Sequence, residues 1–327
     1  MVATLGVVAA LVALLVAGRV TGGGLRRAGE PAAAATARRS GPGLPLVGRV
    51  ALGHPVDGVA VADDGGVWVV HHGRLSRVDP RTLRITASAK ERRPVTAVAA
   101  GAGAVWASAG AELLRVDPRT AEVVARLPVP TGGAPVAAAG GAAGVWAVCC
   151  GTDRALGPPR LYRVDPDANR VVATIPLPGP ADAVGAGLAG VWVRSPGGPI
   201  WRVDPDRNRL AATVRLPGGL GWTAGSVLVA GGMVLVTDPD HGTVHALGRD
   251  RLAEGEIEAA GRDVAVDDRG IVWVHSDQRV VGFGAGHTRG RSLEETGGAI
   301  RALAAGHDAL WVGAPAGLFR VDVAALP

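Results

Sequence analysis

The 327-residue chain has few residues of the kinds that mark nucleic-acid-binding proteins and disulfide scaffolds. Lysine occurs once, at Lys90, and the aromatic residues other than tryptophan are one Tyr and two Phe. Basic patches interleaved with aromatic side chains are therefore absent, and we expect no nucleic-acid partner. The two cysteines, Cys149 and Cys150, are neighbours in sequence. Because adjacent strand residues point to opposite faces, a bridge between them is disfavoured, and we expect two small buried apolar side chains.

The short motifs of common enzymes are also missing. No G-x-S-x-G nucleophile elbow occurs in the chain. The string GAGLAG at 185–190 resembles a dinucleotide-binding loop, but it falls between predicted strands with no helix after it. A phosphate-binding loop needs that helix, so these glycines do not predict a nucleotide site.

The net charge of +5 is concentrated near the N-terminus. Residues 1–43 contain five Arg and one Glu, which gives +4 and leaves +1 for residues 44–327. A nearly neutral body produces no overall field that attracts a polyanion.

The N-terminus is a long apolar run followed by an arginine-rich segment. Residues 2–18 are 17 residues without a charge, at the lower end of what crosses a bilayer as a helix. We expect residues 1–18 to form an uncleaved transmembrane or signal-anchor helix, and residues 19–43 a flexible linker. Leu15 occupies the position before Ala17 where signal cleavage prefers a small residue.

The charges around this run conflict with the expected location. Five Arg follow the run and no basic residue precedes it, which by the positive-inside rule places the body in the cytoplasm. A true start further upstream would explain the missing basic residues. We predict a cell-membrane protein with an extracytoplasmic body. The alternatives are secretion after signal cleavage and a body that faces the cytoplasm.

What the chain does contain is a tryptophan-anchored repeat. The phrase GVWVVHHGRLSRVDP at 66–80 returns as AVWASAGAELLRVDP at 104–118, and its end returns as GLFRVD at 317–322. Alignment on the Val-Trp dipeptide gives seven anchors: Trp68, Trp106, Trp146, Trp192, Leu235, Trp273 and Trp311. A period of about 40 residues with four predicted strands per unit indicates an all-β, seven-bladed propeller over residues 44–327.

Both landmarks of the repeat are predicted to be structural. The tryptophan lies in the second strand of each unit and should pack between neighbouring blades. The Asp of the RVD phrase should begin the turn between the third and fourth strands, at Asp79, Asp117, Asp165, Asp204 and Asp322.

The last unit lacks a fourth strand, because the chain ends just after its third. The segment PLVGRVALG at 45–53 resembles the fourth strands VVARLPVP and VVATIPLPG of other units. We predict that this segment pairs as the outer strand of the last blade and closes the ring, since an open blade would leave a strand edge exposed. A monomer is expected.

These units resemble a known repeat family. GVAVADDGGVWVV and LSRVDPRTLRITA are similar to the YVTN-type seven-bladed propeller repeat, which is WD40-like, and DALWVGAPAGLFRVD resembles the sensor propellers of two-component regulators. The resemblance covers about 45–327 and implies the fold. Its members include binding proteins, extracytoplasmic sensor modules and streptogramin lyases.

The sequence motif of the streptogramin lyases is absent from this chain. Their blades tend to read W-F-T-E, and their site uses a metal held near His and Glu. The third residue after each anchor is never Glu: His71, Ala109, Cys149, Ser195, Asp238, Ser276 and Ala314. We therefore carry over no catalytic residue.

Polar departures from the repeat are the candidate ligand-binding residues. In a propeller the loops between strands two and three lie on the same face as the connections between blades, and rigidly held loops carry function. The candidates on this face are His71, His72, Asp238, Asp240, His241, His275, Asp277 and Arg301. Asp57, Asp182 and Asp263 begin first strands on the same face.

Two kinds of chemistry fit these residues. Imidazole and carboxylate groups can hold a divalent metal, and His with Arg can hold a polar or anionic ligand. Ordinary solvated loop residues are the simplest alternative, and no cofactor is required. We expect a non-enzymatic module that binds a small ligand or a protein at this rim. The alternatives are a metal-dependent lyase or lactonase-type hydrolase that uses the same rim, and a structural interaction scaffold.

Overall fold

The computed structural model describes residues 44–327 with gaps at 130–135, 139–143, 150–156, 217, 231, 249–254, 260, 277, 285–286, 294–295 and 324–327. The expected anchor at 1–18 and linker at 19–43 lie outside the described residues. Within the described part, no helix is long and apolar enough to cross a membrane.

The described strands form seven antiparallel sheets of four strands each, as the repeat predicts. We number the blades along the chain and name the strands from the channel outward. Blades 1 to 3 contain β2 (Val56–Val61), β3 (Val67–His71), β4 (Arg74–Asp79) and β5 (Arg84–Ser88); β6 (Val95–Gly101), β7 (Ala104–Ala109), β8 (Glu112–Val116) and β9 (Val123–Pro128); and β10 (Val136–Ala138), β11 (Val145–Cys149), β12 (Arg160–Asp165) and β13 (Arg170–Pro176).

The remaining blades follow the same order. Blades 4 to 6 contain β14 (Ala183–Gly187), β15 (Gly190–Arg194), β16 (Ile200–Asp204) and β17 (Arg209–Val214); β18 (Val227–Ala230), β19 (Met233–Asp238), β20 (Thr243–Gly248) and β21 (Gly255–Glu258); and β22 (Val264–Val266), β23 (Val272–Ser276), β24 (Arg279–Gly284) and β25 (His287–Ser292). Blade 7 contains β26 (Ala302–Gly306), β27 (Ala309–Ala314), β28 (Gly317–Asp322) and, outermost, β1 (Leu46–Val50).

The first and last strands of the chain close the ring, which confirms the prediction from residues 45–53. Strand β1 pairs antiparallel with β28, with Arg49 opposite Phe319 and Val50 opposite Leu318. Gly317 has a φ of 136°, and a Cβ atom there would lie 2.2 Å from the carbonyl oxygen of Val50. The seam therefore requires glycine at this position.

The anchor residues pack between blades, also as predicted. The six anchor tryptophans and Leu235 are at most 2% exposed. Trp68 of blade 1, for example, packs with Val105 and Leu114 of blade 2. Second strands such as β3 and β7 are buried along their whole length, because other blades cover both of their faces.

The Asp of the RVD phrase begins a turn in the first four blades. Oδ1 of Asp79 accepts hydrogen bonds from the backbone N–H groups of Arg81 and Thr82 at 2.9 and 2.7 Å. Asp117, Asp165 and Asp204 accept backbone hydrogen bonds from their own turns in the same way. These hydrogen bonds lower the pKa of Asp117 and Asp165, whereas the pKa of Asp204 is lowered first by the guanidinium of Arg207 and then by the backbone.

The Arg of the same phrase links consecutive blades, which the sequence analysis did not anticipate. The guanidinium groups of Arg115, Arg163, Arg202 and Arg320 lie 5.5–5.9 Å from the ring centroid of their own blade's tryptophan. Arg320 then donates to the carbonyl of Pro80 in the blade 1 turn at 2.9 Å. The stacking orients the arginine, and its hydrogen bond ties blade 7 to blade 1.

One expectation about the cysteines is wrong. Cys149 is fully buried, as predicted, but it is disulfide-bonded, and the chain has one other cysteine, Cys150. Cys150 lies outside the described residues.

Candidate functional site

A central channel of about 560 Å³ runs between the first strands of blades 1, 2, 4, 5, 6 and 7. Its wall is built from small apolar residues such as Val59, Ala99 and Val229, which let the strands approach the axis closely. Charged residues at the start of these strands, among them Asp57, Asp263 and Arg301, make one end of the channel polar.

At that polar end, blades 5, 6 and 7 enclose a second cavity of about 710 Å³. We call it the mouth pocket. It is lined by the loop after β19, by the end of β23 and by the connections between blades: Thr223, Pro239, Asp240, Gly261, Arg262, His275, Ser276, Ala299, Ile300 and Arg301. The predicted meeting of these loops and connections on one face is therefore confirmed.

Arg262 supplies the unpaired positive charge of the mouth pocket. Its side chain is exposed, and it forms no ion pair with any residue in the described part of the chain. Arg301, by contrast, is ion-paired with Asp57 of blade 1. Asp263 accepts hydrogen bonds from the N–H groups of Val264 and Leu303, both at 2.9 Å, and burial raises its pKa.

Asp240 faces the mouth pocket but already has partners. It accepts hydrogen bonds from the side-chain hydroxyl and the backbone N–H of Thr223, the latter at 3.0 Å. The Thr223 hydroxyl, followed by the backbone N–H groups of Thr223 and Trp222, lowers the pKa of this carboxyl. Asp240 therefore holds the connection between blades 4 and 5.

Asp238 and His241 lie beside the pocket rather than in its wall. Asp238 is fully buried and accepts from the backbone N–H of Gly221 at 3.1 Å and from Nδ1 of His241 at 2.7 Å. The hydrogen bond to Asp238 raises the pKa of His241, whose side chain is half exposed. Asp238, which the sequence predicts at the surface, is therefore part of the interior.

The predicted histidines separate into two groups. His275 is buried and lines the mouth pocket. His71 is buried in blade 1, where Nε2 lies 2.9 Å from the Ser76 hydroxyl, and burial is the main cause of its lowered pKa. The ring of His72 stacks on that of His54 with 4.1 Å between centroids. Asp277 lies outside the described residues.

Of the eight predicted site residues, the structure therefore places Asp240, His275 and Arg301 together in the mouth pocket. In the described part of the chain, no group of three or more His, Cys, Asp or Glu residues is arranged to hold a metal ion.

The sequence analysis missed Arg194, a fully buried arginine at the end of β15. Nη1 forms an ion pair with the carboxylate of Asp182. Nε donates to the carbonyl of Thr237 at 3.2 Å, and Nη2 donates to the carbonyls of Gly221 and Thr223 at 3.3 and 3.0 Å. Burial raises the pKa of Asp182 to about 6, although Arg194 opposes the shift.

A signal for Arg194 was present in the repeat. It lies two residues after the anchor, where the other blades have uncharged or imidazole side chains: Val70, Ser108, Val148, Thr237, His275 and Gly313. A charged residue at a position that the repeat buries implies a dedicated partner.

No protein-family model matches the chain, and no curated protein matches it. Solved structures do match. A streptogramin B lyase superposes with a TM-score of 0.68 at 14% identity, over 84% of this chain and 96% of that one. Virginiamycin B lyase from Staphylococcus aureus gives 0.64 at 11% identity, over 85% and 97% of the two chains.

A third similar structure is a β-propeller domain. The Cps50 (Swd1) β-propeller domain of Myceliophteria thermophila gives a TM-score of 0.66 at 13% identity, over 85% of this chain and 98% of that one. Identities this low show a shared fold, and the propeller expected from the repeat is confirmed.

Proposed function

We propose that this propeller is a non-enzymatic module that binds an anionic ligand in the mouth pocket. The observation that carries the proposal is Arg262, an exposed guanidinium that lines the pocket and has no ion-pair partner among the described residues. The pocket volume of about 710 Å³ lies within the range of small-molecule sites.

The other charged groups of the pocket already have partners in the protein. Asp240 keeps its negative charge, and its two carboxylate oxygens accept hydrogen bonds from the backbone N–H and the hydroxyl of Thr223. Asp263 lies outside the wall of the mouth pocket, and its carboxylate accepts hydrogen bonds from the backbone N–H groups of Val264 and Leu303. A guanidinium group binds carboxylate or phosphate through two parallel hydrogen bonds, so Arg262 would select such groups.

Binding is favoured over catalysis by the pattern that follows each anchor. In the lyases that the repeat resembles, a Glu occurs at this point of the blade, and none of the seven blades here has one. The similarity of the fold to two lyases carries no activity at 14% and 11% identity.

The N-terminal run bears on the compartment in which the ligand occurs. We propose that residues 1–18 tether the propeller to the cell membrane with its body outside the cytoplasm. A C-terminal alkaline phosphatase fusion tests this, because that enzyme is active only outside the cytoplasm. A fluorescent C-terminal green fluorescent protein fusion combined with an inactive phosphatase fusion would place the body inside.

The binding proposal is tested with inorganic phosphate and the purified full chain by isothermal titration calorimetry at low salt. We expect saturable binding that the variant Arg262→Ala weakens at least tenfold. Arg119→Ala is the matched control. It removes the same charge from an exposed turn on the opposite face of the propeller, and we expect less than a twofold change. Equal losses in both variants, or no saturable binding, would refute the proposal.

A further inference from the structure

The connection between blades 4 and 5 presents a tryptophan to solvent. Trp222 is 72% exposed, whereas the other seven tryptophans of the chain are at most 3% exposed. Seven of the eight thus pack in the core, and Trp222 contributes little to burial. Its exposure has no explanation in the folding of the propeller.

The backbone on both sides of Trp222 is fixed by buried charged groups. Gly221 donates to Asp238 and accepts from Arg194, and Thr223 also accepts from Arg194. Asp238 and Arg194 are both fully buried and come from different blades. Burying two charged side chains is unfavourable unless they are well paired, and here both form hydrogen bonds with residues 221–223 of the connection between blades 4 and 5. These hydrogen bonds fix the backbone of residues 221–223.

The indole ring itself rests on the loop of blade 4. A Cβ atom on Gly197, whose φ is 63°, would lie 2.3 Å from Cε2 of Trp222, so the ring sits directly against this backbone. The same loop is bonded to the connection, because the N–H of Gly197 donates to the carbonyl of Gly221 at 2.9 Å. With one side against backbone and most of its area exposed, the ring offers its other face to solvent.

We propose that Trp222 is a stacking platform at the lip of the mouth pocket, and that the ligand carries a planar aromatic ring in addition to its anionic group. Trp222 is not part of the pocket wall, but the next residue in the chain, Thr223, lines the pocket. An exposed, rigid tryptophan gains a large contact area on binding without losing much side-chain freedom. This inference rests on the proposed binding of an anion near Arg262, and it adds an aromatic ring to the chemistry of that ligand.

The test uses phenyl phosphate, 2-phenylethyl phosphate and 4-phenylbutyl phosphate, which place a ring at increasing distances from the anion. We expect at least one of them to bind the full chain tenfold more tightly than inorganic phosphate. The same compound should protect tryptophan fluorescence from quenching by acrylamide, because the quencher reaches Trp222 and not the buried indoles. Trp222→Ala should remove the tenfold gain and leave the affinity for inorganic phosphate unchanged, and Trp222→Phe should keep most of the gain.

The outcomes separate this inference from the proposed function. If Trp222→Ala binds the phenyl compounds as tightly as the wild type, or if none of them exceeds inorganic phosphate, the platform is refuted while phosphate binding stands. If Arg262→Ala binds phosphate as tightly as the wild type, the anion site at Arg262 is refuted. If the uncharged 4-phenylbutanol protects Trp222 in that case, the platform stands without the anion site.

Discussion

Replacing Arg194 by Met removes a fully buried guanidinium and keeps a side chain of similar length. The carboxylate of Asp182 would then be buried without its cation, and its Oδ1 atom already has no hydrogen-bond partner among the described residues. The carbonyls of Gly221, Thr223 and Thr237 would each lose a donor.

The expected loss of stability follows from these contacts. Removing one partner of a buried ion pair costs about 3–5 kcal/mol. Unsatisfied carbonyls add about 1 kcal/mol each, which the burial of the Met side chain partly offsets. We expect a net loss of about 4 kcal/mol, which lowers the urea midpoint by roughly 1 M for a protein of this size.

Urea unfolding followed by circular dichroism measures this shift. The matched control is Arg202→Met in the same blade, which removes an arginine stacked 5.8 Å from the Trp192 ring centroid and should cost about 1 kcal/mol or less. The double variant Asp182→Asn with Arg194→Met should lose less than the sum of the single variants. Equal shifts for Arg194 and Arg202, or strict additivity, would refute the importance of the buried pair.

The same pair predicts how stability varies with pH. The pKa of Asp182 rises from 3.8 to about 6 on folding, so between these values the folded state binds more protons than the unfolded state. The contribution of this group is therefore largest below about pH 4 and is lost as the pH rises through 6, by about 3 kcal/mol in total. Asp182→Asn should flatten this decline. An unchanged pH profile in that variant would mean that Asp182 does not titrate as described.

Two further predictions concern the seam and the blade 5 loop. Gly317→Ala should destabilise the ring by about 2–4 kcal/mol because its methyl group meets the Val50 carbonyl, whereas Gly53→Ala, which has a φ of 72° and no atom within 4 Å, should cost about 1 kcal/mol. Comparable thermal melts for the two variants would contradict this account of the seam. Asp238→Asn should lower the pKa of His241 towards about 6.5, as read from the ring protons by NMR, since the Asp238 hydrogen bond raises it. A titration that does not move would show that another group controls His241.

The fold was predictable because the repeat places one residue type at one position. Each anchor, Trp68 for example, lies where two blades meet, so the spacing of the anchors gives both the number of blades and the register of the strands. The closing strand was recognisable since residues 45–53 resemble other fourth strands. Both inferences use local sequence similarity, which the chain shows directly.

The site was less predictable because its residues act through distant backbone atoms. Arg194 bonds the carbonyl of Thr237, 43 residues away, and no sequence pattern shows which carbonyl faces a side chain. The sequence predicts Asp238 to be a loop residue, but its side chain is fully buried and accepts a hydrogen bond from Gly221 in the connection between blades 4 and 5. Trp222 and Arg262 lie in connections between blades, where the repeat does not extend, so only the structure shows that one is exposed and the other borders a pocket.

The pairing of β1 with β28 also bears on how the protein is made in the cell. Leu318 leaves the ribosome about 270 residues after its partner Val50, a delay of roughly 15–50 s at about 5–20 residues per second. Throughout this interval the first strand is a free edge that can join another nascent chain. An exchange of this strand between two copies would give a dimer with the same contacts as the monomer. A low concentration of nascent chains should therefore favour the correctly closed ring.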